Sequence, residues 1–288
     1  GGIIGTPNDM RIDRTGEPPI SLAGTWKFKK SDLTKKLGER PEQPFRGPNH
    51  PTLLSNAMVH PFYLVKAKGV IWYQGESNAG RAYQYRSLMP LLIQDWRNRF
   101  GQDFSFYWVQ LANFTMPRDT PGDSQWAELR EAQTMTLSVP KTGQAVIIDI
   151  GEARDIHPKN KQDVGKRLAL NALAKDYGKS VVYSGPMFKS VEFSENRAII
   201  DFDYAHGLKS KNGPLKHFQI AGNDKQFVWA DAKIDGNRVM VSSDSVKNPV
   251  AVRYAWADNP EGCNLYNAAD LPACPFRTDS WKGVTQTK

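Results

Sequence analysis

The stretch Lys68-Gly-Val-Ile-Trp-Tyr-Gln-Gly-Glu-Ser-Asn-Ala-Gly80 decides the reading of the chain. Its first half, residues 69–73, is a short apolar run rich in β-prone residues and reads as a buried strand. Its second half, residues 74–80, is turn chemistry. Beyond it, Tyr85, Leu88, Met89, Leu92 and Trp96 recur at helical spacing and predict a helix over 81–99. The same grammar returns twice. Residues 104–109 form a second apolar strand, a polar and Pro-containing loop follows, and Trp126, Leu129, Gln133 and Leu137 mark a helix. Residues 145–150 read as a third strand and 151–160 as a polar loop. Val164, Leu168, Ala172 and Lys175 trace a third helix, with Gly178 where a C-cap belongs. Three such units predict an α/β domain: a parallel sheet with right-handed crossovers and helices on its faces. In open sheets of this kind, ligands bind in the crevice beyond the carboxyl ends of the strands. Residues 74–78, 110–113 and 149–157 fall there, and all three are polar.

The texture differs on either side. Residues 1–20 are rich in Gly and Pro and read as the tail end of a preceding β element. Residues 21–52 are charged and Pro-rich and read as an irregular linker. The α/β portion is assigned to residues 53–179. From residue 180 to 288, short alternating runs at 190–193, 197–202, 217–220, 227–230, 238–242 and 250–254 predict an all-β sandwich, with Asp235-Gly-Asn237 as a hairpin turn. The whole chain has 288 residues, 40% of them hydrophobic and 24% charged, which suits a globular protein of two domains. Its formal net charge of +8 is spread without a dense basic run, so no nucleic-acid surface is read from it. No apolar run reaches the ~18 residues of a membrane span. The opening Gly-Gly-Ile-Ile-Gly reads as the interior of a longer chain.

Among the five histidines, His157 stands out, in Asp155-Ile-His-Pro158 after a strand and before a helix. A histidine there can serve as general base toward a hydroxyl nucleophile, with Asp155 or Asp149 holding its ring. It can equally be a loop histidine bridging local backbone. Ser77, in Gly75-Glu-Ser-Asn-Ala-Gly80, sits on a strand-to-helix turn as a nucleophile elbow does, but Ala79 replaces a required Gly and Glu76 opposes developing negative charge. The preferred role for the turn is support: Gln74, Ser77 and backbone N–H groups orienting a neighbour or an oxyanion. The histidine spacing matches no metal motif, two cysteines make no zinc ribbon, and no phosphate-cradling Gly motif follows a strand. Cys263 and Cys274 can close a small loop as a disulfide or remain free thiols.

Residues 69–78 resemble a signature block of the sialate O-acetylesterases, within the SGNH/GDSL hydrolase superfamily. Pro51-Thr-Leu, Asp95-Trp-Arg97, Val109-Gln-Leu-Ala-Asn-Phe114, Leu129-Arg-Glu-Ala-Gln133, Asp149-Ile-Gly-Glu through Asp155-Ile-His-Pro158, Arg167-Leu-Ala-Leu170, Tyr254-Ala-Trp256, Asn264-Leu-Tyr-Asn267 and Pro275-Phe-Arg-Thr278 are similar to the same family. The resemblance covers roughly residues 50–281. It implies a flavodoxin-like hydrolase sheet followed by a β-sandwich, and hydrolysis of acetyl esters on sialic acid without a cofactor or metal. It makes His157 the general base and Asp155 its orienter. Gln74, Gly75, Glu76, Ser77 and Asn78 become the active-site wall and oxyanion support, with Gln110 and Asn113 as weaker substrate contacts.

The family's nucleophilic serine lies in a Gly-Gln-Ser-Asn-type motif that this sequence does not contain, and only three of five expected strands are counted. The expectation is therefore a carboxyl-terminal portion, inactive alone, whose partner is the amino-terminal part of the same protein. The substrate is expected to be acetylated sialic acid. Other acetylated glycans such as acetylxylan, or a purely carbohydrate-binding role for the tryptophans at 229, 256 and 281, are the alternatives. Such substrates lie outside the cytoplasm, so a periplasmic or secreted location is expected.

Overall fold

A computed structural model describes residues 11–14, 16–21 and 52–286. It divides into two compact units, Gly1–Met58 and Val59–Lys288. In the first, β1 (Arg11–Arg14) and β2 (Glu17–Ser21) pair as an antiparallel hairpin, with Gly16 at φ 79° in the turn. Most of the linker expected over 21–52 lies outside the described residues.

After a short 3-10 helix at His60–Phe62, the second unit runs through β3 (Gly69–Trp72), α1 (Ala82–Phe100), β4 (Ser105–Val109), α2 (Gln125–Met135), β5 (Thr142–Ala145) and α3 (Lys161–Lys175). The strands form a parallel sheet in the order β3-β4-β5. Strand β4 shows why it is the central one. Its side chains alternate, Phe106 and Trp108 toward one face, Tyr107 and Val109 toward the other, and all four are buried. Phe106 and Trp108 join Tyr85, Met89 and Ile93 of α1 and Leu129 of α2 in one core. Tyr107 and Val109 join Ala145 and Val164 and Leu168 of α3 in another. Ser124 caps α2 by accepting the Ala127 N–H at 2.9 Å, and Asn160 caps α3 by accepting the Asp163 N–H at 3.1 Å. Beyond α3, Gly178 at φ 61° lets the Lys179 N–H reach back to the Leu173 carbonyl.

The remaining strands are β6 (Met187–Ser194), β7 (Arg197–Asp203), β8 (Lys209–Ser210), β9 (Phe218–Ala221), β10 (Val228–Trp229), β11 (Asp231–Asp235), β12 (Arg238–Ser242), β13 (Ala251–Tyr254), β14 (Leu265–Tyr266) and β15 (Phe276–Arg277). Two antiparallel four-stranded sheets, β10-β9-β13-β15 and β11-β12-β7-β6, make the expected sandwich. Asp235 pairs with Arg238 across the two-residue turn read from Gly236 and Asn237, with Gly236 at φ 61°.

One reading is corrected, one strand is added and one open alternative is decided. The third parallel strand is Thr142–Ala145, three residues earlier than the apolar run at 145–150. That run is apolar for another reason. It leaves the sheet after Ala145, places Val146 and Ile148 in the sandwich core, and keeps Ile147 in the α3 core. Strand β11 escapes the sequence because its exposed positions are Asp231, Lys233 and Asp235, the charges expected on an edge strand. Cys263 and Cys274 are both buried free thiols rather than a disulfide. Cys274 Sγ lies in a polar nest instead, 3.3 Å from Gln110 Nε2 and 3.4 Å from Gln144 Nε2. Among the described residues, no helix is long and apolar enough to cross a membrane.

Candidate active site at the carboxyl edge of the sheet

Because β3, β4 and β5 run parallel, the segments that leave them share one edge. The first is the turn after β3. Gly75 sits at φ 150°, and a Cβ there would lie 3.0 Å from Leu129 Cδ2 and 3.2 Å from Gln133 Nε2, so both the backbone and the space demand glycine. Gln74 fixes the turn. Its Nε2 donates to Asn78 Oδ1 at 2.8 Å, its Oε1 accepts from the Tyr85 hydroxyl at 3.0 Å, and its carbonyl accepts from Gln133 Nε2 at 3.2 Å. The carboxamides of Gln74 and Asn78 thus hold each other. Glu76 is half-buried and Ser77 is exposed at the start of a short 3-10 helix, Glu76–Arg81.

The second segment, after β4, contains two expected contact residues with opposite fates. Gln110 is fully buried, and its amide donates to Thr134 Oγ1 at 2.8 Å. Such a side chain braces α2 from inside and presents nothing to a substrate, which corrects its expected role. Asn113 does reach the edge. Its Oδ1 accepts the Gly151 N–H at 2.7 Å and its Nδ2 donates to Asn259 Oδ1 at 2.9 Å. A Cβ on residue 151 would collide with the Asn113 backbone carbonyl, so Gly151 permits this close approach.

The third segment carries the histidine. Its base is pinned by Glu152, whose carboxylate accepts the Lys159 N–H at 3.1 Å and pairs with Lys159 Nζ at 3.0 Å. These contacts hold the Glu152 carboxyl below its ordinary range. Asp155 and His157 lie in the loop so closed, with Pro158 buried behind them. Asp155 Oδ1 accepts the His157 backbone N–H at 2.9 Å and stands 3.6 Å from His157 Nδ1. The first contact is an Asx-type turn that shapes the loop. The second exceeds hydrogen-bond length, so the ring is beside its carboxylate but not yet clasped by it. The imidazole is 85% exposed, open to approach from solvent. Asp149, the other acid considered as its orienter, is committed elsewhere. It forms a bidentate pair with Arg167 at 2.5 and 2.8 Å and accepts the Tyr266 hydroxyl at 3.0 Å. Asp155 is therefore the acid beside His157.

Tyr73, the residue before the first turn, faces the start of α3. It packs in the α3 core, and Lys161 Nζ, at the start of α3, lies 4.8 Å from its ring centroid. Burial, with a smaller contribution from Glu76, pushes its hydroxyl up to about 12, so it stays neutral beside that lysine at physiological pH.

The arrangement offers an exposed imidazole with an adjacent carboxylate, on the same sheet edge as a rigid polar turn. Residues 52–174 match the family model described as carbohydrate esterase, sialic acid-specific acetylesterase. The chain is 32% identical over 310 residues to the sialate O-acetylesterase of Mus musculus, covering 94% of this chain and 55% of that protein. It is 32% identical over 291 residues to that of Homo sapiens, covering 91% and 55%. Residues 52–174 therefore carry the sialate acetylesterase domain, and the chain around them is similar to these relatives over most of its length. It spans about half the length of the curated relatives it matches. A crystal structure of a carbohydrate acetylesterase from Xanthomonas citri superposes with a TM-score of 0.77 at 51% identity, covering 80% of this chain and 55% of that one.

The acetylesterase-matched region contains the Gln74 turn, Asn113 and the His157 loop, but their supports come partly from the sandwich. Arg130 is fully buried, and among the described residues no carboxylate forms an ion pair with it. Its Nε donates to the Leu111 carbonyl at 2.8 Å, its Nη1 to Ala257 at 2.7 Å, and its Nη2 to Ala112 at 2.7 Å and Asp258 at 2.9 Å. Burial pushes this guanidinium down to about 9, which still leaves it a cation at neutral pH. It ties the segment carrying Asn113 to the sandwich loop carrying Asn259. Sequence reasoning noted Arg130 and Tyr266 only inside matching strings. Their signal was a charged residue at a core-facing helical position and a tyrosine in an Asn-rich turn, and neither names its partner.

Proposed function

We propose that this protein is a carbohydrate O-acetylesterase acting on acetyl esters of sialic acid, with His157 as general base and Asp155 as the carboxylate that orients it. The observation that carries this reading is the Asp155–His157 pair on a pinned loop at the carboxyl edge, inside the region matched by the acetylesterase family. The chemistry follows in two stages. A serine hydroxyl adds to the acetyl carbonyl while His157 takes its proton. The tetrahedral intermediate then expels the sugar alkoxide, which receives that proton, leaving an acetyl-serine. Water, deprotonated by the same imidazole, releases acetate and regenerates the serine. The turn at residues 74–78 forms the wall of the site, with the exposed Ser77 hydroxyl as its polar contribution.

The nucleophile is proposed to come from the amino-terminal part of the whole protein, and Ser77 is the runner-up within this chain. Residues 53–179 would supply the chemistry and residues 180–288 the sandwich that braces it. Other acetylated glycans are the second reading for the substrate, favoured by the 51% identity to a protein described only as a carbohydrate acetylesterase. A periplasmic or secreted location is proposed because such glycans lie there. The buried free thiols remove the disulfide as support for it.

The test is acetate release by the full-length protein from O-acetylated sialic acid and from acetylated xylan. His157→Ala should lower turnover by roughly 10²–10⁴-fold, the usual contribution of general base catalysis, with the fold intact because the ring is exposed. Undiminished turnover in that variant refutes the assignment. Loss of turnover in Ser77→Ala with a native fold would transfer the nucleophile to Ser77.

A further inference from the structure

Beside the histidine loop a polar cleft of about 420 Å3 opens between the sheet edge and the sandwich. Asn113 and Gly151 form its wall on the side of the sheet, and Lys211, Asn212, Lys216 and Glu261 line it from two sandwich loops. Its size lies in the range of small-molecule sites, about 300–1,000 Å3. Its chemistry is unlike a site for an apolar ligand: amides, ammonium groups and a carboxylate alternate around it.

The charges of this cleft are nearly balanced. Asp149, also in the wall, is matched by the bidentate Arg167. Lys211 is 3.1 Å from Asp270, a carboxylate it shares with Lys209 at 2.8 Å, and 3.9 Å from the centroid of the Tyr266 ring. Among the described residues that line it, what remains is the exposed cation Lys216 and the exposed anion Glu261. A carboxylate-bearing ligand would meet the Glu261 carboxylate as well as the Lys216 ammonium here. A neutral polyol would find donors and acceptors of both kinds. Asn212 and Lys216 have side chains without a hydrogen bond or ion pair among the described residues, so their donors face the cleft unspent. Asn212 is at φ 60°, a conformation Asn tolerates and one that fixes its loop. The cleft is also contiguous with the chemistry, because Gly151 opens the loop that carries His157.

We propose that this cleft is a subsite for a neutral sugar ring adjoining the acetylated one, recognised through its hydroxyls by Asn212 and Lys216. It rests on the esterase reading for its substrate, but its binding is measurable without turnover. The probes are unacetylated xylotriose and lactose, titrated into the full chain by calorimetry, with N-acetylneuraminic acid as the anionic comparison. Saturable binding of a neutral probe, little changed by salt, is expected. The double variant Asn212→Ala/Lys216→Ala should weaken it about fivefold or more, the effect of at least one lost hydrogen bond. Both positions are exposed, and circular dichroism checks that the variant is folded. No saturable binding of either neutral probe overturns the proposal, as does an unchanged Kd in the variant. Salt-sensitive binding of N-acetylneuraminic acid alone also overturns it, in favour of an anion site. Hydrolysis of an aryl acetate by full-length wild-type protein, followed separately, reports on the esterase reading whichever way the sugar titration falls.

Discussion

Replacing Arg130 with Met should show how far the site depends on the seam between sheet and sandwich. The guanidinium donates four hydrogen bonds to backbone carbonyls. Two of those carbonyls keep another donor: Ala112 accepts the Trp126 indole N–H at 2.8 Å, and Asp258 accepts the Phe114 N–H at 3.2 Å. The carbonyls of Leu111 and Ala257 lose the donor that Arg130 provides. At about 1–3 kcal/mol for each buried acceptor left unsatisfied, the loss is ~2–6 kcal/mol. Relief from burying an unpaired cation offsets part of it. A net destabilisation of about 3 kcal/mol is expected. With an m-value of ~3 kcal/mol/M in urea, the midpoint should fall by about 1 M at unchanged slope. Arg130→Lys keeps the charge but cannot span four acceptors, so it should fall between wild type and Met. A midpoint shift below about 0.3 M for Arg130→Met would refute the reasoning, since it would mean that the carbonyls find other donors at no cost. Catalysis adds a second reading of the same variant. Leu111 and Ala112 lead directly into Asn113, which holds Gly151. Turnover by folded Arg130→Met should therefore drop at urea concentrations where the fold persists.

The turn and the core give further expectations. Gly75→Ala forces an L-residue to φ near 150° and a Cβ against Leu129, so about 1–3 kcal/mol of stability should be lost in urea denaturation; wild-type stability would show that the turn is not strained. Both thiols should resist Ellman's reagent until the protein unfolds. Burial pushes Cys263 up to about 12, whereas in the unfolded chain it ionises near ~8.5. The unfolded state therefore binds fewer protons between those values, and the Cys263 contribution to stability should shrink as pH rises through that window. Cys263→Ala should flatten that part of a stability–pH curve, and an unflattened curve contradicts the assignment. Among the described residues β3 pairs on one side alone, with Ile71 72% exposed and Leu64 97% exposed nearby in sequence. The isolated chain should self-associate with rising concentration, and Ile71→Lys should reduce this in light scattering; concentration-independent monomers would count against an adhesive edge.

The parts of the fold that were readable from sequence are those in which one periodicity serves one core. Helix α1 shows its face because Tyr85, Met89 and Ile93 all enter the same cluster. The run at 145–150 misled because its residues serve two cores at once. Val146 and Ile148 face the sandwich and Ile147 faces α3, so the alternation that usually marks a strand here marks a connector between layers. No local pattern distinguishes the two, since both bury alternate side chains on opposite sides.

The candidate site divides in a similar way, by whether a residue's role is set by its neighbours in sequence or by a distant partner. The Asp155–His157 contact is local, and the string shows it. Gln110 and Asn113 stand three residues apart in one polar stretch, yet one is sealed under α2 and the other holds the histidine loop. What separates them is the partner each finds far along the chain: Thr134 for the first, Gly151 and Asn259 for the second. Asp149 makes the same point with more consequence. Sequence proximity offered it to His157 on nearly equal terms with Asp155. Arg167 and Tyr266 claim it instead, and a carboxylate so satisfied would have to break a buried ion pair to serve the imidazole, at a cost of several kcal/mol. Substituting Asp149 should therefore act first on the packing of α3 against the sandwich, whereas substituting Asp155 should act on the histidine.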